Sequence, residues 1–540
     1  MYRFAVSVAF LAASPAPAEV SSARAECEAV APLGPIGSAT RELARLAEIA
    51  GAAPVWPELF VRPSSVRDLV LCKTPAPHPS LLPAATTPGA LRVAPGVAWL
   101  RSYYRSGYPE DANDGAVWEG RGLTLAASAS LEARLGPLAA AVAPVVAWTQ
   151  NQGFDAPRAT LPGYSPWASP YYGGHIDLPL RFGSRAFWLA DAGDSHLRLD
   201  YGNVALGVSN ENLWWGPGVR STVLFTNTAP GFPHVFLGTS RPADVWIGWL
   251  DVQLMWGLPR ESPYFTSGDG DNERFLAGLA VSFEPAFAPG LFLGAGRLYH
   301  FNGPPTIEES LRPLISPLLK SQVGGDDPDN QLGSLMARWV VPAARLEVYG
   351  EWGRDDHAWD SMDLLMEPGH ATSFVVGLQH LTAVRHRWVR IGIEATHTAE
   401  RPLGRDWRPD PTFYTHWAVR QGHTNDGQML GAAAGPDADS QYLAIDVLAP
   451  DGGQSGAFVE RTLRNERWYG DQVRSLDGHD LEIAGGVRQR LALSGFELEW
   501  HVGLARRWNA YFGSDRWNVF AGIEVSPRAG RRGGVGLAAP

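Results

Sequence analysis

Apolar positions recur along this chain with two different periods, and the change falls near residue 85. Within the first segment, Ser38 to Ala50 (SATRELARLAEIA) places Leu43, Leu46, Ala47 and Ala50 on one stripe. That three-to-four spacing predicts an amphipathic helix, with Gly51 as its stop. A second short helix is expected from Ser65, where Asp68 three residues on completes a capping-box pattern. Pro75, Pro77, Pro79 and Pro83 then read as a linker. This helical region, residues 26–85, is too small to stand alone and is expected to pack on something.

After Leu91 the period becomes two. Leu197, Leu199 and Tyr201 alternate with Arg198 and Asp200; Leu346, Val348 and Trp352 alternate with Glu347 and Glu351. The same holds for Val389, Ile391 and Ile393 against Arg390 and Glu394, and for Leu481, Ile483 and Val487 against Glu482 and Arg488. Phe496 to Leu504 and Trp517 to Ile523 repeat the pattern. The longer runs approach the roughly 9 to 11 residues of a tilted strand crossing a bilayer. A soluble sandwich or propeller would show the same alternation. Two features favour a membrane barrel: the polar faces carry charges of both signs, as a polar lumen would, and tryptophans (Trp352, Trp388, Trp500, Trp517) recur near strand ends like an interfacial girdle. Counting runs gives roughly 16 to 20 antiparallel strands, an even number being the norm. Short connections such as Ala288-Pro289-Gly290 and Ser494-Gly495 suit tight periplasmic turns. The long ones, Asn151 to Tyr172, Gly303 to Gly333 and Asp406 to Ser440, suit the exposed side.

Composition narrows the choice. The 540 residues hold 45 Lys+Arg against 56 Asp+Glu, a net charge of −11. That balance argues against nucleic acid as a partner, since a phosphate-binding surface needs clustered cations. With 45% hydrophobic residues and 21 tryptophans the chain can bury a core, so wholesale disorder is excluded. No stretch reaches the ~18 to 20 apolar residues of a spanning helix. Residues 1–18, with Arg3, an apolar run and Ala16-Pro17-Ala18, have the layout of a secretory signal. Export to an oxidising compartment makes Cys27 and Cys72, the only two cysteines, a disulfide candidate. No cofactor or metal site is expected.

Several motifs carry chemistry. Asn212 to Gly218 reads NLWWGPG; on an extended backbone Trp214 and Trp215 point to opposite faces. One indole could then stack on the CH-rich face of a sugar while Asn212 hydrogen-bonds it, or the pair could be a belt tryptophan and a lumen tryptophan beside a turn. Asn113 to Gly122 reads NDGAVWEGRG, where Trp118, Glu119 and Arg121 could form an inward polar cluster for a glycan or a structural salt bridge. Glu351 to Trp359 reads EWGRDDHAW; a solvated loop mouth is favoured over a metal site there, and ordinary acidic loops over Ca²⁺ sites at Asp269/Asp271/Glu273 and Asp326/Asp327/Asp329. GxSxG, HExxH, Walker A and GxGxxG are all missing.

Together these elements resemble the capsule assembly Wzi family. They are Trp56-Pro57-Glu58-Leu59-Phe60, the Ser106-Gly107-Tyr108-Pro109 that precedes NDGAVWEGRG, NLWWGPG trailed by Thr226-Asn227-Thr228, and EVYGEWGRDDHAW with Pro368-Gly369-His370 after it. The resemblance runs over about residues 30 to 525. It implies an outer-membrane antiparallel β-barrel of about 18 strands, residues 90–526, with a small helical periplasmic region at its base. It also implies a non-enzymatic, lectin-like role, binding and anchoring capsular or other surface polysaccharide and aiding capsule assembly. The motif positions carried over are Trp118, Arg121, Asn212, Trp214, Trp215, Gly216, Glu351 and Arg354, as glycan contacts or as residues that hold the lumen together. Expected partners are surface polysaccharide and outer-membrane lipid, with the barrel acting as a monomer. A porin-like channel is the alternative function, and an outer-membrane enzyme using a carboxylate pair such as Glu351 and Asp355 a more remote one. One departure from the usual barrel end stands out: no aromatic residue closes the last strand, and residues 527–540 read as a flexible Gly/Arg-rich tail, although Phe520 lies in that strand.

Overall fold

The structure, a computed structural model, describes residues 27–57, 59–60, 68–72, 90–110, 112–266, 273–315, 329–355, 361–366, 368–399, 412–475 and 477–528. The signal segment, the proline linker, Asp269, Asp271, Asp326, Asp327, Asp356, His357 and the tail beyond Arg528 lie outside the described residues.

Strands from Arg92 to Pro527 close into one antiparallel ring, sealed where Arg92–Arg105 pairs with Arg516–Pro527 (Leu100 opposite Val525). Three positions are each filled by two short segments of one interrupted strand: Leu138–Val142 with Val145–Thr149, Phe187–Asp191 with His196–Tyr201, and His234–Thr239 with Ala243–Asp244. The barrel therefore has 18 strands. The alternation works as the sequence predicts: Leu197, Leu199, Tyr201, Ile483, Val487 and Trp517 face outward and are exposed, while Arg198, Glu347 and Glu482 point inward and are buried. Trp388 departs from the expected girdle. It is buried, on the luminal side, against Leu46 and Ala47.

Connections sort by length between the two ends. Tight turns such as 136–137, 202–203, 385–386 and 493–495 share one end, which in outer-membrane barrels faces the periplasm. The long segments 150–186, 210–233, 303–329 and 398–438 share the other. Two of these long segments do not stay outside. The described parts of 210–233 and 398–438 fold into the lumen, where Trp215, Leu224, Phe225, Phe232, Tyr414 and Leu430 form a core with inward residues Met255, Leu276, Phe292 and Met336.

The N-terminal segment closes the turn end. Its helix spans Ala39–Ile49, with Ser38 at the N-cap. At the C-terminus, Gly51 takes a left-handed backbone (φ +75), its N–H donates to Glu48 O, and the Ala52 N–H donates to Ala47 O. This is a Schellman stop, which needs a left-handed residue at that position. Leu46, Ala47 and Ile49 pack on Val340, Leu381, Trp388 and Leu448 of the barrel wall. The expected second helix is not formed at Asp68: Asp68–Cys72 is a strand paired with Cys27–Pro32, and Cys27 and Cys72 are joined by a disulfide. A cross-link beside a two-strand ladder outweighs a four-residue capping pattern, because local capping contributes only about 1 kcal/mol. The region is thus one helix and a small sheet among the described residues, not a helical unit throughout.

Candidate functional site

Between the N-terminal helix and the loop 106–121 the lumen retains a cavity of about 500 Å³. Its wall is built by eight consecutive strands, from Thr372–Val384 round to Arg92–Arg105 across the barrel seam. Five rings run side by side across it: Tyr103, His501, Phe520, Phe458 and Tyr442, with neighbouring centroids 6.4, 6.2, 6.2 and 5.9 Å apart. The rings lie against the wall because glycines sit beneath them. A methyl group at Gly522 would collide with the His501 ring, one at Gly503 with Phe520, and one at Gly486 would lie 3.0 Å from Phe458. Aromatic and glycine positions are therefore paired across strands, as an aromatic packed over a glycine requires.

Ion pairs frame this strip. Arg101 meets Glu524 at 2.7 Å, Arg105 meets Glu119 at 2.6 Å and Glu110 at 3.1 Å, and Arg220 meets Glu460 at 2.9 Å. Arg105 also lies 5.1 Å above Phe520, and Arg220 lies 4.6 Å above Tyr442. The Tyr103 hydroxyl donates to Asp114 at 3.0 Å. At the floor, Glu42 of the helix accepts from Arg390 (2.7 Å) and Arg490 (2.9 Å). Burial alone would raise the Glu42 carboxyl, but the guanidiniums of Arg390, Arg490 and Arg488 outweigh it and hold the group well below the usual carboxylate range. Glu119 goes the other way: burial, added to the neighbouring Asp114, pushes it well above that range despite Arg105. Cations and carboxylates balance around the cavity. Yet Arg220, Glu499, Arg488 and Glu524 keep 28–35% of their side chains exposed, so their edges remain open to hydroxyl groups.

Of the eight positions singled out in the sequence, Trp214 lines this cavity. The others hold the surrounding loops. Trp118 stacks on Phe182 with centroids 4.6 Å apart, and Arg121 donates to the carbonyls of Ser106 (2.9 Å) and Gly153. Asn212 donates to Ala229 O at 2.6 Å. Trp215 is fully buried, edge-on to Phe225 and bridged to Phe60 of the N-terminal segment. Gly216 has φ +148, and a Cβ there would lie 2.5 Å from Glu351 Oε2. That oxygen also accepts the Val223 N–H at 2.9 Å. Arg354 is buried on the outward side of its strand, opposite Gly333 and Thr372, away from the cavity. Among the described residues, no group of three or more His, Cys, Asp or Glu is placed to hold a metal ion.

The residues that sequence reasoning passed over are Tyr103, Arg220, Tyr442, Phe458, Glu460, His501, Phe520 and Glu524. Their signal was present: Phe458, His501 and Phe520 stand at inward positions of alternating strands, with a glycine at the inward position of a neighbouring strand.

Fold and chamber define the class: an outer-membrane β-barrel whose lumen is closed by its own N-terminal segment and inward loops, leaving a polar, aromatic-walled cavity. The model of the family described as capsule assembly protein Wzi matches residues 107–521, and the chain belongs to that family. Among solved structures, Wzi of Escherichia coli, an outer-membrane protein involved in group 1 capsule assembly and described as a carbohydrate-binding β-barrel, matches with TM-score 0.54 at 16% identity, covering 79% of this chain and 83% of that one. Acinetobacter baumannii OccAB2 matches at TM-score 0.39 and 9% identity, covering 80% and 97%. Pseudomonas aeruginosa OccK2, solved with glucuronate, matches at 0.39 and 10%, covering 81% and 98%. Among curated proteins none matches this chain in sequence.

Proposed function

We propose that this protein is a non-enzymatic, lectin-like barrel that binds capsular or other surface polysaccharide and holds it at the cell surface, aiding capsule assembly. The glycan is placed in the luminal cavity. The observation that carries this reading is the ring strip Tyr103–His501–Phe520–Phe458–Tyr442 framed by Arg–carboxylate pairs. Ring faces suit the CH-rich faces of pyranoses, and forked guanidiniums and carboxylates suit adjacent hydroxyls. A volume near 500 Å³ falls within the ~300–1,000 Å³ typical of small-ligand sites and fits a short saccharide stretch. Retention of a long polymer then draws on many weak contacts at many barrels, through avidity.

Trp214 is assigned a direct contact. Trp118, Arg121, Asn212, Trp215, Gly216, Glu351 and Arg354 are assigned the shaping of the loops around it. The barrel acts as a monomer with lipid around its outer belt. The porin-like alternative has less support, because the helix Ala39–Ile49 and the segment 210–233 occupy the lumen. Comparison of cell-bound with released polysaccharide in a deletion strain tests the proposal. Unchanged synthesis with glycan shed to the medium is expected; normal retention would overturn the anchoring role and bring planar-bilayer conductance to the front.

A further inference from the structure

On the outer wall, at the loop end, five aromatic or small side chains are packed away although their strands point them toward the membrane. Phe275, Ala277, Tyr299 and Phe301 are at most 6% exposed and form a cluster with Trp256. Their neighbours lower on the wall, Leu293, Leu335 and Trp339, are open, as a lipid-facing belt should be. The cover is the helix Ile307–Ile315, which packs on the strands Arg274–Pro285 and Leu291–Asn302 from outside. It is strapped down by polar contacts. Trp256 Nε1 donates to Ser310 O at 2.7 Å, and Arg312 lies 3.9 Å from Asp329. Asp329 accepts from Gln331 at 3.1 Å, and Gln331 in turn accepts from Arg297, which points outward beneath the helix.

The polarity of this helix is inverted for an aqueous surface. At 100° per residue, Arg312 and Pro313 turn toward the barrel, while Ile307, Leu311, Leu314 and Ile315 share the opposite face. Those four are 82, 39, 50 and 66% exposed. A helix at a water-bathed rim buries its aliphatic stripe against the protein and leaves its polar face in solvent; an interfacial helix turns the aliphatic stripe to acyl chains. Height agrees. From Phe283 near the turn end to Phe275 is eight residues, and a rise of ~3.4 Å on strands tilted by ~40° makes that about 21 Å, close to the ~25 Å apolar band of such barrels. The helix thus sits at the upper edge of the band and continues the lipid-facing belt.

We infer that Ile307–Ile315 is an interfacial membrane anchor whose aliphatic face lies among the acyl chains of the leaflet on the loop side, forming a collar outside the barrel. The inference is independent of the glycan reading. It is tested by single cysteines at Ile307, Leu314 and, as an aqueous reference on the loop 150–186, Asp155, whose side chain is exposed, in the full chain, each spin-labelled in vesicles of outer-membrane lipid. The native cysteines are joined to each other, so the added thiol is labelled selectively. Labels at 307 and 314 are expected to collide several-fold more with oxygen than with a water-soluble nickel chelate, and the label at 155 to show the reverse. Equal nickel access at all three positions would overturn the anchor, as would 307 and 314 labels reached by neither reagent, which would mean that protein covers the face. A second readout guards against local unfolding: bromine on acyl chains in the loop-side leaflet should quench a fluorophore at 314 and leave one at 155 unaffected.

Discussion

The guanidinium of Arg338, on the luminal face of the barrel, lies 2.8 Å from the carboxylate of Glu48 in the N-terminal helix, and both side chains are shut away from solvent. Glu347 also accepts from Arg338, at 2.5 Å, and Arg45 of the helix reaches Glu347 at 3.0 Å. A buried charge network of this kind fixes how the segment seats in the lumen, since removing one partner strands another charge without water. Glu48→Ala is expected to weaken docking of the helix by about 3 kcal/mol, the low end for such a deletion because Glu347 still pairs Arg338. Hydrogen exchange of residues 39–49 should rise by about two orders of magnitude while the strands keep their protection; unchanged exchange would show that the apolar contacts alone hold the segment.

The two tryptophans of NLWWGPG should separate cleanly. Trp215→Ala empties a fully buried core site and is expected to lower stability by about 3–5 kcal/mol. Trp214→Ala, at the cavity, should leave the barrel folded and weaken glycan binding. Thermal unfolding and glycan affinity measured on both variants check this. An unfolded Trp214 variant, or a Trp215 variant that loses only affinity, would reverse the assignment.

Phe458→Ala removes the ring between Phe520 and Tyr442 without touching the NLWWGPG loop. A lost stacking contact of about 1 kcal/mol predicts roughly fivefold weaker binding of an oligosaccharide. Calorimetric titration against the wild type reads the change. Equal affinity would move the glycan out of this cavity.

Much of this architecture is legible in the sequence, and the reason is geometric. A strand facing lipid on one side and a charged lumen on the other must alternate, so Trp517, Val519 and Ile523 announce their orientation without any tertiary information. The helix Ala39–Ile49 is equally local, with its stripe and its Gly51 stop. What is not local is the cavity. Tyr103, Tyr442, Phe458, His501 and Phe520 become neighbours only once the ring closes at Leu100 and Val525, and no spacing within one segment announces that closure. The course of the segment 210–233 is no more local. Its Gly, Pro and Asn content suits an exposed connection, yet Trp215, Leu224, Phe225 and Phe232 supply enough apolar area to draw it into the lumen. Motif residues such as Trp118 and Arg121 stand out in sequence because they hold such loops, and that is a different task from lining the chamber.

Gly216 joins the loop to the N-terminal segment. Its N–H donates to Leu59 O at 2.8 Å, and the space over its Cα is filled by Glu351 and Thr222. Gly216→Ala therefore forces Glu351 aside at a backbone angle that favours glycine, a strain of about 1–3 kcal/mol. The expected result is a barrel that still inserts but releases residues 27–60 more readily to protease.

Acid should loosen the same closure from the other side. The carboxyl of Glu42 is held below its ordinary value by Arg390, Arg490 and Arg488. A depressed folded-state pKa gives stability that is fully present above the unfolded value, near 4.3, and is lost as pH falls through the folded one. Between pH 7 and 5 the seated helix should be insensitive to pH. Below about pH 4 the stability that the pairs with Arg390 and Arg490 give the seated helix is lost progressively, because the undocked carboxyl takes up a proton that the docked one refuses. In planar bilayers the wild-type barrel is expected to be silent at neutral pH and to flicker open in acid. Glu42→Gln, which cannot ionise, should flicker at neutral pH too and show little further change on acidification. A Glu42→Gln barrel that stays closed at pH 7 and opens in acid like the wild type would place the acid-sensitive contact elsewhere in the plug.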